Sequence, residues 1–263
     1  MARPVIALLT DFGTSDHYAG AMKGVALGIC PDATLVDITH DITAHDVLGG
    51  ALELAAAYRY FPAGTIFLVV VDPGVGSARR GIAAEAGDFT FVAPDNGVLT
   101  AVLDEHPARR VVELTARKYA RPTVSRTFEG RDRFAPAAAW LAKGIDLGAL
   151  GRSAGAIQRL DIPRPMLVGD RIDGQVLRVD RFGNLITNVD HKAFAALAGG
   201  PLDIRIGLHT VSRVVSTYAD ALPGEVCALF GSTDHLEVAV NGASAADALE
   251  LHRGAPVHVV RRA

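Results

Sequence analysis

The stretch FLVVVDPGVGSARRG, Phe67–Gly81, runs an uninterrupted apolar segment into one carboxylate, Asp72, turns through Pro-Gly-Val-Gly, and returns two arginines. A carboxylate at the end of a buried run costs several kcal/mol unless a cation meets it, so Arg79 is expected beside Asp72. Such a pair can serve the fold alone, or it can hold an ionised carboxylate ready to take a proton from a reacting group. A second charged group is TFEGRDRFAP, where Glu129, Arg131, Asp132 and Arg133 precede a helix; read singly, Asp132 is a helix cap. The remaining polar residues cluster where apolar runs end: Thr10, Asp11, Asp16 and Tyr18; Asp37, His40, Asp41, His45 and Asp46; Asp95 and Asn96. Taken one at a time, Asp11 or Asp46 caps a helix, Asp95 and Asn96 form a turn, and His40 or His45 is a surface histidine. In VDRFGNLITN, Asp180, Phe182 and Asn184 surround a glycine that permits either a close backbone approach or a β-bulge. The segment GVGSARRG fits no phosphate-binding glycine loop, no His/Cys set has zinc spacing, and no G-x-S-x-G elbow occurs, so phosphate-loop, metal and serine-nucleophile chemistry are not favoured.

These residues need a scaffold that gathers strand ends. The runs VIALLT, TLVDI, TIFLVVV, FTFVAP and RVVEL read as strands alternating with amphipathic stretches, which predicts an α/β fold with a mostly parallel sheet flanked by helices. Val47, Ala51, Leu54, Ala55 and Tyr58 share one helical face, and Pro136–Lys143 carries proline in its first turn and Gly144 just past its end. In such a sheet ligands collect outside the carboxyl ends of the strands, where the polar residues fall. Arg159–Asp170, with two prolines and no sustained period, reads as a linker. Beyond it QVLRVD, DIRIGL, VSRVVS, EVCALF, HLEVAV and VHVV, with brief helical patterns at HKAFAAL and SAADALEL, predict a smaller antiparallel β-barrel-like domain. The expected domains are 1–163 and 164–263.

Composition narrows the function classes. With 263 residues, 49% hydrophobic, the chain can fill a core without disulfides. A formal charge of -3 leaves no electrostatic footprint for nucleic acid or anionic lipid. Two cysteines set among apolar neighbours fit a reducing compartment, and no apolar run approaches the roughly 20 residues of a membrane span, so a cytoplasmic protein is expected.

LLTDFGTSDHYAGAMKG, VVDPGVGSARR, FVAPDNGVLT, GRDRFAPAAA and VDRFGNLITN, in this order, resemble the S-adenosylmethionine hydroxide adenosyltransferase family, water-using relatives of the fluorinase and chlorinase. The similarity extends through YADALPGEVCALFGSTDHLEVAVNGASAADAL and so covers nearly the whole chain. The resemblance implies hydrolysis of S-adenosylmethionine to adenosine and methionine, no cofactor or metal, and a homotrimer with sites between subunits. It implies Asp11 on the ribose hydroxyls, Asp16 and Asp180 near the methionine ammonium, and Ser232 at the methionine carboxylate. Asn184 would read adenine, Tyr218 would pack on the purine, and His45 would lie beside the ribose, with Tyr18 and Phe182 completing the substrate-binding set. Asp72 and Arg79 match a catalytic cluster beside C5′ whose third member is a family histidine; Glu129 stands there instead. Two close carboxylates with one arginine lead to the expectation of a shared proton. Three other readings stay open: a halide adenosyltransferase, disfavoured by Asp72; a binding protein whose catalysis is lost through Glu129; and, from TDFGTSD, a metal loop like that of nucleoside hydrolases.

Overall fold

The computed structural model describes residues 3–197 and 200–262. The chain divides into two compact units, Met1–Asp161 and Ile162–Ala263, with the division inside Arg159–Asp170.

The first unit runs β1 (Val5–Thr10), α1 (Tyr18–Ile29), β2 (Thr34–Thr39), α2 (Val47–Ala57), β3 (Ile66–Val70), β4 (Gly81–Ala86), β5 (Phe89–Pro94), α3 (Thr100–Glu105), β6 (Ala108–Glu113), α4 (Ala135–Ala142) and β7 (Arg152–Ser153). Its sheet has the order β2-β1-β3-β5-β4-β6-β7, parallel from β2 to β5 and antiparallel beyond. The central strands β1 and β3 are apolar on both faces because helices cover both faces. Ile6, Leu8, Leu68 and Val70 pack with Met22 and Ala26 of α1 and with the alanines of α4. The alternate residues Ala7, Leu9, Phe67, Val69 and Val71 pack with Leu54 of α2 and Val102 and Leu103 of α3. Asp46 caps α2 by accepting from the Gly49 N–H at 2.9 Å, and Pro136 opens α4 while Gly144, at φ +89°, follows it. The alanine-rich strand GIAAEA, β4, has too little β-branched content to stand out in the sequence.

The second unit runs β8 (Met166–Val168), β9 (Arg171–Val179), β10 (Leu185–Asp190), α5 (His191–Ala196), β11 (Leu202–Ile206), β12 (His209–Val211), β13 (Val226–Phe230), β14 (His235–Val240), α6 (Ala245–Leu249) and β15 (Pro256–Arg261). The strand order is β12-β11-β15-β9-β10-β14-β13, with β8 on β9 and every strand pairing antiparallel. Only Val211 of the expected strand VSRVVS lies in a strand. The segment after it bonds to β13 through Arg213, Val215 and Ala228 instead, and so draws the two edges into a nearly closed barrel. No described helix is long and apolar enough to cross a membrane, and both cysteines are free and buried.

Candidate active site

In the first unit β1 lies between β2 and β3, so the chain leaves β1 toward one neighbour and reaches the other later. The connections diverge there, at the carboxyl ends of β1 and β3, where open α/β sheets bind their ligands. Asp11 follows β1 directly, and Asp72 lies just beyond β3. Arg79 grips Asp72 bidentately, Nε donating to Oδ1 at 2.8 Å and Nη2 to Oδ2, while Nη1 meets Glu129 Oε2 at 2.6 Å. The three side chains are 5%, 10% and 15% exposed for Asp72, Arg79 and Glu129. Burial pulls the Arg79 pKa down, but the hydrogen bonds and charges of the two carboxylates outweigh it and hold the guanidinium protonated. Its Cζ also lies 5.2 Å from the centre of the Phe134 ring. Gly81 leaves room for that ring, since a Cβ there would fall 2.4 Å from Phe134 Cε1.

Arg79 joins Asp72 to Glu129, donating to both carboxylates. Glu129 sits at the start of a π-helical turn, Gly130–Phe134, a widened turn that carries residues into irregular positions. Within that turn Asp132 is fully buried and does not cap a helix. It accepts from Arg131 Nε at 2.7 Å, Arg131 Nη2 at 2.8 Å and the Ser125 N–H at 2.8 Å. Burial alone would raise its pKa; these hydrogen bonds and the nearby Arg121 lower it instead.

Asp11 does not cap a helix either. Its Oδ2 accepts from the His45 N–H at 2.9 Å and holds that exposed residue at φ 70°, a left-handed conformation uncommon outside glycine. His40 is buried rather than at the surface: Nδ1 lies 2.8 Å from Thr10 Oγ1 and Nε2 lies 3.0 Å from Asp37 Oδ1, while Lys23 donates to Asp37 at 2.6 Å. Asp95 is also more than a turn residue, being buried, gripped by Arg80 and bonded by the Gln158 N–H at 2.8 Å. Tyr18 packs with Phe12 and Phe128, at centroid distances of 5.7 and 5.2 Å, and Asp16 is exposed nearby in the sequence. Phe12 and Phe128 were missed, although both stand inside the quoted motifs.

In the second unit Asp180, Phe182, Asn184, Tyr218 and Ser232 line one cavity of about 900 Å³. Asp180 organises its rim: Oδ1 accepts from the Phe182 and Asn184 N–H groups and Oδ2 from the Asn184 side-chain amide, each at 2.9 Å. Gly183, at φ +84°, allows the N-cap Ser244 of α6 to approach, because a Cβ would lie 2.1 Å from Ser244 Oγ. Tyr218 donates its hydroxyl to Glu237 Oε2 at 2.8 Å. Burial, only partly offset by that hydrogen bond, pushes the Glu237 carboxyl up. Glu237 was missed, although its signal is the one that marks Asp72, a carboxylate within an apolar run. Among the described residues, no group of three or more His, Cys, Asp or Glu side chains is arranged to hold a metal ion.

Residues 6–151 match the SAM hydroxide adenosyltransferase N-terminal domain and residues 174–258 the C-terminal domain of the same family. The chain is 40% identical over 257 residues, 95% of each chain, to a protein of Salinispora tropica named (R)-S-adenosyl-L-methionine hydrolase. It is 32% identical to a fluorinase of an Actinoplanes species, across 98% of both. An uncharacterised conserved protein of Thermotoga maritima, solved by crystallography, superposes with a TM-score of 0.92 at 35% identity, covering 97% of this chain and 100% of that one. Both halves of the chain therefore carry the family's domains in order, and the protein belongs to the S-adenosylmethionine hydroxide adenosyltransferase family.

Proposed function

We propose that the protein hydrolyses S-adenosyl-L-methionine to adenosine and L-methionine by in-line attack of water on C5′. The observation that carries this reading is the Asp72–Arg79–Glu129 cluster at the strand ends, two carboxylates held by one guanidinium. The water oxygen bonds to C5′ as the C5′–S bond breaks, and the sulfonium leaves as a neutral thioether, so no acid has to protonate it. The water proton passes to a carboxylate. Asp72 uses one lone pair of each oxygen on Arg79 and keeps the others for water. Glu129 supplies a second acceptor, and the pair of negative charges disfavours a halide at the same place. Full-length relatives named as hydrolases of this substrate support the assignment.

In this reading Asp11 binds the ribose hydroxyls with Tyr18 and His45 beside the sugar, Asp16 and Asp180 face the methionine end with Ser232, and Phe182, Asn184 and Tyr218 take the adenine. No cofactor or metal takes part. The enzyme is a cytoplasmic homotrimer in which neighbouring subunits complete each site. Incubation with S-adenosylmethionine and excess chloride tests the chemistry: adenosine and methionine are expected, and 5′-chloro-5′-deoxyadenosine as main product would refute it. Subunit mixing tests the assembly. Asp72→Ala and Asn184→Ala chains, each inactive alone, regain activity in mixed trimers if sites are shared; demonstrated mixed trimers without rescue refute sharing.

A further inference from the structure

The first unit contains a second cavity, of about 740 Å³, whose wall includes Glu129 but neither Asp72 nor Arg79. Four arginines line it: Arg117, Arg121, Arg126 and Arg133. Their charges are poorly compensated. Arg121 reaches only Asp132, at 3.6 Å, and that carboxylate is already gripped by Arg131. Arg126 donates to the neutral Gly76 carbonyl at 2.9 Å. Arg133 Nε is buried without a hydrogen-bond partner, 3.5 Å from Glu129 Oε1, and Glu129 is shared with Arg79 through its other oxygen. The Arg117 side chain makes no hydrogen bond or ion pair to any described residue. Glu129 is the single carboxylate on the wall.

Guanidinium groups gathered with one carboxylate between them repel each other, and a buried N–H without a partner carries a desolvation cost. An oxyanion relieves both, because its oxygens match the fork of N–H donors that each guanidinium presents. Leu114, Tyr119 and Leu150 supply an apolar wall beside the donors. We infer that this cavity is a binding site for a small oxyanion, a phosphate or carboxylate group on a compact molecule, adjoining the reaction site through Glu129 but not the place where the substrate binds. Arg133 is its link to the cluster: an anion that takes Arg133 Nε removes the only cation besides Arg79, among the described residues, that is close to Glu129.

The test uses the full chain and inorganic phosphate, titrated calorimetrically against potassium chloride of equal ionic strength. Saturable binding to one site is expected, weakened roughly tenfold or more in Arg117→Gln, the value of a charged hydrogen bond. The Arg117 side chain has no partner among the described residues, so its substitution leaves folding intact; Arg133→Gln serves as the second variant. Absence of saturable heat, or affinity unchanged in both variants, overturns the site. That it is separate rests on the proposed substrate, whose methionine end also carries a carboxylate. L-methionine is expected not to displace phosphate; displacement would make the cavity part of the substrate site and overturn the inference. Adenosine release, measured independently, shows whether the proposed function has failed instead.

Discussion

Replacing Arg79 by methionine removes one cation from between two carboxylates and keeps most of the aliphatic volume. Asp72 and Glu129, 5% and 15% exposed in the native chain, are then left with Arg133, 3.5 Å from Glu129, as the only cation beside either among the described residues. Removing one partner of a buried ion pair costs about 3–5 kcal/mol, because the surviving charge stays buried without compensation. The contact between the guanidinium and the Phe134 ring adds about 0.5–2 kcal/mol. A loss near 4 kcal/mol lowers the melting temperature of a domain this size by roughly 8–16 °C. Thermal unfolding followed by circular dichroism measures it, and the triple variant Arg79→Met, Asp72→Asn, Glu129→Gln separates charge from shape. With no ionised carboxylate left, the triple variant recovers most of the stability while remaining inactive. A single variant that melts within about 2 °C of the native protein, or a triple variant no more stable than the single, refutes the argument that burial of charge dominates this site.

Glu129→Gln keeps a carbonyl for Arg79 Nη1 but removes a proton acceptor, so turnover falls by about 10²–10⁴ with KM little changed, and steady-state kinetics read the split. Glu129→His puts in place the histidine that the family resemblance implies for this position and remains active, with its pH profile moved toward the imidazole range; an inert variant sinks the idea that this position only needs a base. Glu237, whose carboxyl burial raises above the ordinary glutamate value of 4.5, stabilises the fold fully below that value and loses this contribution as pH rises through its folded pKa. Glu237→Gln therefore gains melting temperature relative to the native chain at pH 8 compared with pH 4, and a difference of the opposite sign contradicts the assignment.

Strands β1 and β3 were legible because they are buried on both faces and read as unbroken apolar runs. The strand β4 was not, because alanine and glycine fill positions where Phe134 and the neighbouring strands leave no space, and their types carry no strand signal. The ion pair of Asp72 with Arg79 followed from desolvation alone, since a cation had to be within reach. The roles of Asp132 and His40 did not follow. Which of several candidate partners a buried polar group takes depends on backbone geometry, here the π-helical turn and the crossing from β1 to β2, and neither leaves a periodic trace in the sequence. In the second unit, grouping Asp180, Phe182 and Asn184 needed only their proximity in the chain, whereas joining them to Tyr218 and Ser232 required the pairing of β10 with β14.

The adjacent residues Arg79 and Arg80 lean to different strand ends, Arg79 to Asp72 beyond β3 and Arg80 to Asp95 beyond β5, just before β4 pairs Gly81 with Pro94. A single residue inserted or deleted between Arg80 and Gly81 would shift both arginines against β4 and turn each guanidinium away from its carboxylate. Connections between strands ordinarily absorb changes of length during evolution. At its junction with β4 this one is held in register by two opposed ion pairs, so a change of length there breaks both, in a segment that by its turn residues alone looks free to drift.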